Sequence, residues 1–129
     1  MDELNVQSQF VLSQCESRKA LKQKLTEMTN YAKYGLPSWQ GSRVVYGSNS
    51  GLQAQSVVYF QEGVVSESGP RTVLIDPNTL SADGTVSLSG RTFSEDGRFC
   101  SYGLSVSGSD WITVKVLEIT ADGKACVTL

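Results

Sequence analysis

Residues Ser38-Trp39-Gln40-Gly41-Ser42-Arg43-Val44-Val45-Tyr46-Gly47 align without gaps on Ser94-Glu95-Asp96-Gly97-Arg98-Phe99-Cys100-Ser101-Tyr102-Gly103, so the pattern S-x-x-G-x-x-x-x-Y-G occurs twice. Each copy runs through a serine-rich stretch, "SNSG" or "SVSGS", into an apolar run, residues 56–60 or 111–117. Self-similarity near the ~50-residue period of kelch-type repeats marks β units that stack because none can bury its faces alone. A Gly/Ser-rich β chain can repeat a short spacing by chance, but four identities at fixed offsets favour a shared unit. We expect each copy to supply the middle strands of a four-stranded propeller blade, with Tyr46 and Tyr102 at matching packing positions.

The stretch Gly47-Ser48-Asn49-Ser50-Gly51 lies one residue out of phase with the G-x-S-x-G elbow that presents a nucleophilic serine. That elbow needs serine at its third position, on a strand-to-helix corner. Here the third position is Asn49, and residues 52–60 read as a strand. A serine nucleophile also needs a base, usually histidine, and the chain has none. We therefore read "GSNSG" as an inter-strand turn, the counterpart of "SVSGS". A Ser–Lys dyad, or an acidic pair such as Glu118 and Asp122, is chemically conceivable. Both acids fall at an ordinary strand end and turn. No catalytic, cofactor-binding or metal-binding residue is expected in this chain.

From Asp2 to about Lys33 the pattern is helical. Leu21, Leu25, Met28 and Ala32 share one face, Val6 with Phe10 and Leu4 with Val11 make a weaker stripe, and Ser17 can cap a second helix after Cys15. Arg18, Lys19, Lys22 and Lys24 are read as a solvated face, since Glu16 and Glu27 lie among them. From Leu36 onwards β-rich runs follow at residues 43–46, 56–61, 72–75, 85–93, 98–104, 111–119 and 125–128. Asp83-Gly84, Asp96-Gly97 and Asp122-Gly123 supply the positive φ of tight hairpins, Asp76-Pro77-Asn78 is a further turn, and residues 63–70 form a polar hairpin loop. This gives a mainly β fold: about one four-stranded antiparallel blade plus part of a second, a partial β-propeller over residues 36–129, preceded by one or two helices over residues 1–35.

A net charge of −2 with mixed signs gives no electrostatic footprint for nucleic acid or an acidic membrane. No apolar run approaches the ~18 residues of a membrane span, and "MDELNVQSQF" does not resemble a signal peptide. Cys15, Cys100 and Cys126 are an odd, widely spaced set, which favours reduced, mostly buried thiols in a cytosolic protein over a disulfide framework or zinc site. A propeller closes with roughly four to eight blades, so a chain holding so few looks like a segment of a larger protein.

The stretch from "GLQAQSVVYFQ" through "DPNTLSADGTVSLSGRTFSEDGRFCSYGLSVSGSDWITVKV" closely resembles the prolyl oligopeptidase family of serine peptidases, at the start of its β-propeller. Asp76-Pro77-Asn78, Asp83-Gly84-Thr85-Val86, Phe93-Ser94-Glu95-Asp96-Gly97 and Ser107-Gly108-Ser109-Asp110-Trp111 carry the likeness most clearly, and "LTEMTNYAKYG" is similar to the link from the family's N-terminal helices into its first blade. The resemblance covers the chain to about Glu118 and fades after Ile119. It implies a cytoplasmic enzyme in which a seven-bladed propeller restricts an α/β-hydrolase domain to short peptides cleaved after proline. The triad belongs to the hydrolase domain, so no catalytic residue carries over and the chain by itself is expected to be inactive.

Two functions follow. Either the chain is the N-terminal, propeller part of such a peptidase, with the other blades and the hydrolase domain as partners and short proline-containing peptides bound only through the parent enzyme. Or it is a free-standing, non-catalytic β module that acts through protein contacts at an unpaired blade edge. The first reading predicts self-association of the isolated chain, and the second a monodisperse protein.

Overall fold

Helices α1 (Asp2–Ser13) and α2 (Ser17–Thr29) lead the chain. The computed structural model describes residues 2–63, 69–120 and 125–128, with side chains for 3–63 and 69–120. Residues 1–31 and 32–129 make two separate units. In the first, the two helices are joined through Gln14, Cys15 and Glu16, where Gln14 and Cys15 N–H groups donate back to the Val11 and Leu12 carbonyls. Ser17 does not act as the cap expected of it. It is the first residue of α2, no side chain caps the helix, and its hydroxyl sits 3.3 Å from Cys15 Sγ instead. The apolar stripe of α2 is where the spacing placed it, yet α2 buries no residue, and Leu21, Leu25 and Met28 all face outward. The helix also ends earlier than Lys33, because Asn30 leaves the helical region at φ −83°, ψ 68°.

The second unit is two antiparallel sheets. The first holds β1 (Lys33–Tyr34), β2 (Ser38–Gln40), β3 (Arg43–Asn49), β4 (Val57–Glu62) and β5 (Thr72–Ile75). Strands β1 and β2 share one edge of β3, with Gly35 to Pro37 between them, so they act as one interrupted first strand of a four-stranded meander. The second sheet is β6 (Val86–Phe93), β7 (Phe99–Val106), β8 (Ile112–Ile119) and β9 (Ala125–Thr128), in that order. The partial propeller is thus present, with four strands in the second sheet rather than a fragment of one. The crossover between the sheets carries a 3-10 turn (Pro77–Thr79), capped by Asp76, whose carboxylate accepts from Asn78 N–H at 3.0 Å.

Several strands differ at their ends from the sequence expectation. Residues 52–56 are not strand. Asn49 holds them as a loop, accepting from Gly51 N–H and donating to the Gln53 carbonyl, while Asn78 pairs with both backbone groups of Gln55. Asp83-Gly84 lies in the crossover rather than a hairpin, although Gly84 has the expected positive φ of 69°. Gly123 and residues 64–68 of the anticipated hairpin loop lie outside the described residues.

The core lies between the sheets. Alternation along β3 and β4 puts Val45, Val58 and Phe60 on the face that meets Cys100 and Tyr102 of β7 and Leu117 and Ile119 of β8, and all seven are buried. Each such side chain contributes about 1.5–3 kcal/mol on leaving water. Val86, Leu88 and Phe93 of β6 complete the layer. The opposite face of the first sheet, with Val44, Tyr46 and Val57, is buried as well, and the Tyr46 and Tyr59 rings stand 6.1 Å apart.

The repeat survives in its second half and slips in its first. Tyr46 pairs with Tyr59 and Tyr102 with Lys115, so the two tyrosines hold matching places in ladders of the same register. Ser38, however, lies within β2 opposite Val45, whereas Ser94 follows β6 and bonds to the Phe99 carbonyl. The β2–β3 turn is Gly41-Ser42 alone, and the β6–β7 turn is two residues longer, so a gap-free alignment is out of step before the turn. What the two glycines share is contact with each other's hairpin. A Cβ on Gly41 would lie 2.9 Å from the Asp96 carbonyl oxygen, and one on Gly97 only 2.6 Å from that of Gln40.

This contact is testable against a neutral position. Gly97→Ala puts a Cβ both at φ +68° and into backbone, whereas Gly108→Ala has φ +72° and open space around it. Urea unfolding should show Gly108→Ala costing about 1–2 kcal/mol and Gly97→Ala clearly more, about 3 kcal/mol or above. Equal costs would mean that the two hairpins do not meet.

Candidate functional site

The serine-rich corner after β3 has no nucleophile geometry. Gly47, Ser48 and Asn49 belong to β3 and pair with β1 or β4, and the turn proper begins at Ser50. Ser48 is buried; Ser50 is exposed, and its N–H is taken by Gln53 Oε1 at 2.8 Å. No helix follows the corner. At this corner Lys33 Nζ donates to the Gly51 carbonyl at 3.0 Å. Asn49 is therefore the residue that shapes this corner. In the second copy the turn is set instead by Ser107 and Gly108, both at positive φ.

Of the acidic pair, Asp122 lies outside the described residues, and Glu118 is held by Arg98 at 2.7 Å. Among the described residues no cluster of His, Cys, Asp and Glu could hold a metal ion. Cys100 is fully buried in the inter-sheet core, and burial pushes its thiol up to about 11, so it packs as an apolar group. Asp96 works in its turn. Its carboxylate accepts from the Ser94 hydroxyl at 2.6 Å and from Arg98 N–H at 3.0 Å, and these bonds, the hydroxyl first, hold its pKa below the usual carboxylate value.

What the chain offers is surface. The face of β8 turned away from the first sheet carries Ile112, Val114 and Val116, all exposed, with Val114 at 68%. Beside them lie Ser101 and Gly103 of β7, and a groove of about 220 Å³ passes over these small residues between Val114, Ser89 and Thr92. The register identifies this face. Gly47 pairs with Val58 in the first sheet as Gly103 pairs with Val114 in the second, and Val45 with Phe60 as Ser101 with Val116. Val45, Val58 and Phe60 are the residues that the second sheet covers in the first. The exposed face of the second sheet thus occupies the position that, one unit earlier, is a sheet–sheet interface.

A second apolar surface lies within the helical unit. Leu12, Cys15, Leu21 and Leu25 line a groove of about 550 Å³, with Arg18 and Lys22 at its side. Sequence periodicity revealed the stripe but not its exposure. Two ion pairs were not anticipated: Arg43 with Glu62 at 2.6 Å and Arg98 with Glu118. The signal was present, since Glu62 and Glu118 recur at the same spacing as Tyr46 and Tyr102.

Comparison with known proteins agrees with this geometry. The family model described as prolyl oligopeptidase, N-terminal beta-propeller domain, matches residues 1–126. The prolyl endopeptidase of Elizabethkingia meningoseptica is 36% identical over 111 residues, which span 86% of this chain and 15% of that protein. The dual function macrocyclase-peptidase POPB of Galerina marginata is 34% identical over 119 residues, 84% of this chain and 16% of its own length. Among solved structures, one from a study of two prolyl endopeptidases superposes with a TM-score of 0.83 at 27% identity, covering 98% of this chain and 18% of that one. Prolyl oligopeptidase B from Galerina marginata, bound to a 35mer hydrolysis and macrocyclization substrate, gives 0.76 at 31% identity, over 92% of this chain and 18% of its own. The chain therefore spans about one sixth of the relatives it matches. With repeat, sheet topology and these likenesses in agreement, the chain belongs to the N-terminal β-propeller domain of the prolyl oligopeptidase family.

Proposed function

We propose that this chain forms the opening blades of a propeller that gates a serine peptidase cleaving short peptides after proline, and that it contributes no catalytic group of its own. The observation that carries this reading is the exposed Ile112, Val114 and Val116 face, whose register matches a face that is covered one unit earlier. A surface built for a neighbouring sheet implies further blades, and a closed propeller can admit only what fits its channel. The relatives named as prolyl endopeptidases and macrocyclase-peptidases supply the reaction class.

In this proposal residues 1–35 are a helical segment and residues 36–129 the partial propeller. The exposed stripe of α2 and the groove beside it serve contacts with the remainder of the enzyme. Peptides are bound only by the assembled protein. The compartment is cytoplasmic, a reading supported by the odd set of three cysteines; no helix among the described residues is long and apolar enough to cross a membrane. A free-standing interaction module is not favoured, because the face left open is a blade-packing face.

Two measurements test the proposal. Without histidine or a nucleophile elbow, the purified chain should leave a glycyl-prolyl chromogenic peptide uncut. Turnover that a serine-directed phosphonate abolishes would overturn this. The open face should also make the isolated chain associate: light scattering after size exclusion should give dimers or larger species, with Val114→Glu shifting them to monomer. A sharp monomer that binds no apolar dye would count against an unfilled blade position.

A further inference from the structure

The two arginine–glutamate pairs share register-equivalent glutamates, their arginines stand one residue out of step, and they are not equally used. Arg43 stands opposite Glu62 in the β3–β4 ladder, and Phe99, next to Arg98, stands opposite Glu118 in the β7–β8 ladder. Arg43 donates from Nε to Glu62 Oε1 at 2.6 Å and lies over the Phe60 ring. From Nη2 it also donates, at 3.3 Å, to the carbonyl of Thr120, the residue that follows β8. One guanidinium therefore ties the first sheet to a strand end of the second. Arg98 repeats the first two contacts: Nε and Nη2 reach Glu118 Oε1 at 2.8 and 2.7 Å, and the guanidinium lies 5.0 Å from the Phe99 ring centre. Its side chain is 60% exposed, against 15% for Arg43.

We infer that Arg98 is the clasp for a third sheet, which lays an apolar face on Ser101, Gly103, Val114 and Val116 and ends a strand with its carbonyl against the Arg98 guanidinium. This rests on the propeller reading and goes beyond it by naming the residue that sets where the next blade stops. The chemistry follows from the donor set. A guanidinium presents five N–H groups in a rigid fork and serves a carboxylate and a carbonyl together. A carbonyl just past a strand end has no ladder partner, so once a neighbouring sheet shuts out water it needs a donor from that neighbour. A second copy of this chain can offer its own Ile112, Val114 and Val116 face but no free counterpart of the Cys100 and Tyr102 face that packs on the first sheet. The register equivalent of that face, with Val44, Tyr46 and Val57, is already buried.

The test uses the intact Elizabethkingia meningoseptica prolyl endopeptidase with its matching N-terminal stretch replaced by this chain, so that the following blades are present. Urea unfolding is compared for Arg98→Met and Glu118→Gln, with Arg43→Met and Glu62→Gln as the reference pair whose extra carbonyl bond is seen. The clasp predicts that Arg98→Met shifts the unfolding equilibrium roughly tenfold further than Glu118→Gln, as Arg43→Met does relative to Glu62→Gln. Equal shifts for Arg98→Met and Glu118→Gln overturn the clasp. Val114→Glu separates the two ideas, since it must destabilise the chimera strongly if a blade covers that face. Should Val114→Glu be silent, the propeller reading falls with the clasp. Val114→Ala gives the same ordering where the charged variant yields no soluble enzyme.

Discussion

Everything described in the β unit depends on one contact, the packing of the Val45, Val58 and Phe60 face against Cys100, Tyr102, Leu117 and Ile119. Neither sheet has a core of its own, because a single antiparallel meander has only two faces and no interior. Shape at this layer therefore sets everything at its margins. Where the layer reaches the hairpin turns the backbones come so close that Gly41 and Gly97 leave no room for a Cβ. At the same end of the strands Arg43 closes the gap with a bond to the Thr120 carbonyl.

The same dependence explains the exposed surfaces. A blade packs through both faces, and in the second sheet one of those faces, with Ile112, Val114 and Val116, meets no sheet among the described residues. The helical unit shows a similar logic on a smaller scale. Its apolar stripe has helical spacing, but none of α2 is buried. Stripes of this kind are stabilised in proteins mainly by the surface they pack on.

Much of this was legible in the sequence, and the exceptions have a common cause. β-branched runs announced β4, β5, β8 and β9, and the short β5 and β9 were placed at their observed ends. Strands β1 and β2 were missed because Lys33-Tyr34 and Ser38-Trp39-Gln40 contain no β-branched residue and are broken by Gly35-Leu36-Pro37; only pairing with β3 makes them strands. Residues 52–55 alternate like a strand but are held as a loop by Asn49 and by Asn78 from across the fold. The slip between Ser38 and Ser94 arose from a turn two residues longer in the second copy. For β1, β2 and residues 52–55 a partner distant in the sequence decided, and a local pattern does not record it. That so few blades would bare an apolar face was legible as well; the register and the exposure identify Ile112, Val114 and Val116 as such a face among the described residues.

Cys100 reports on the central contact directly, since its thiol is fully buried between the sheets. In a Cys15→Ser, Cys126→Ser chain, Cys100 should resist an aromatic disulfide reagent in native buffer. Its labelling should appear only as urea unfolds the sheets, with the same midpoint as the loss of β signal. Rapid labelling in native buffer, or labelling that precedes unfolding, would show that the two sheets do not close on each other and would contradict the account.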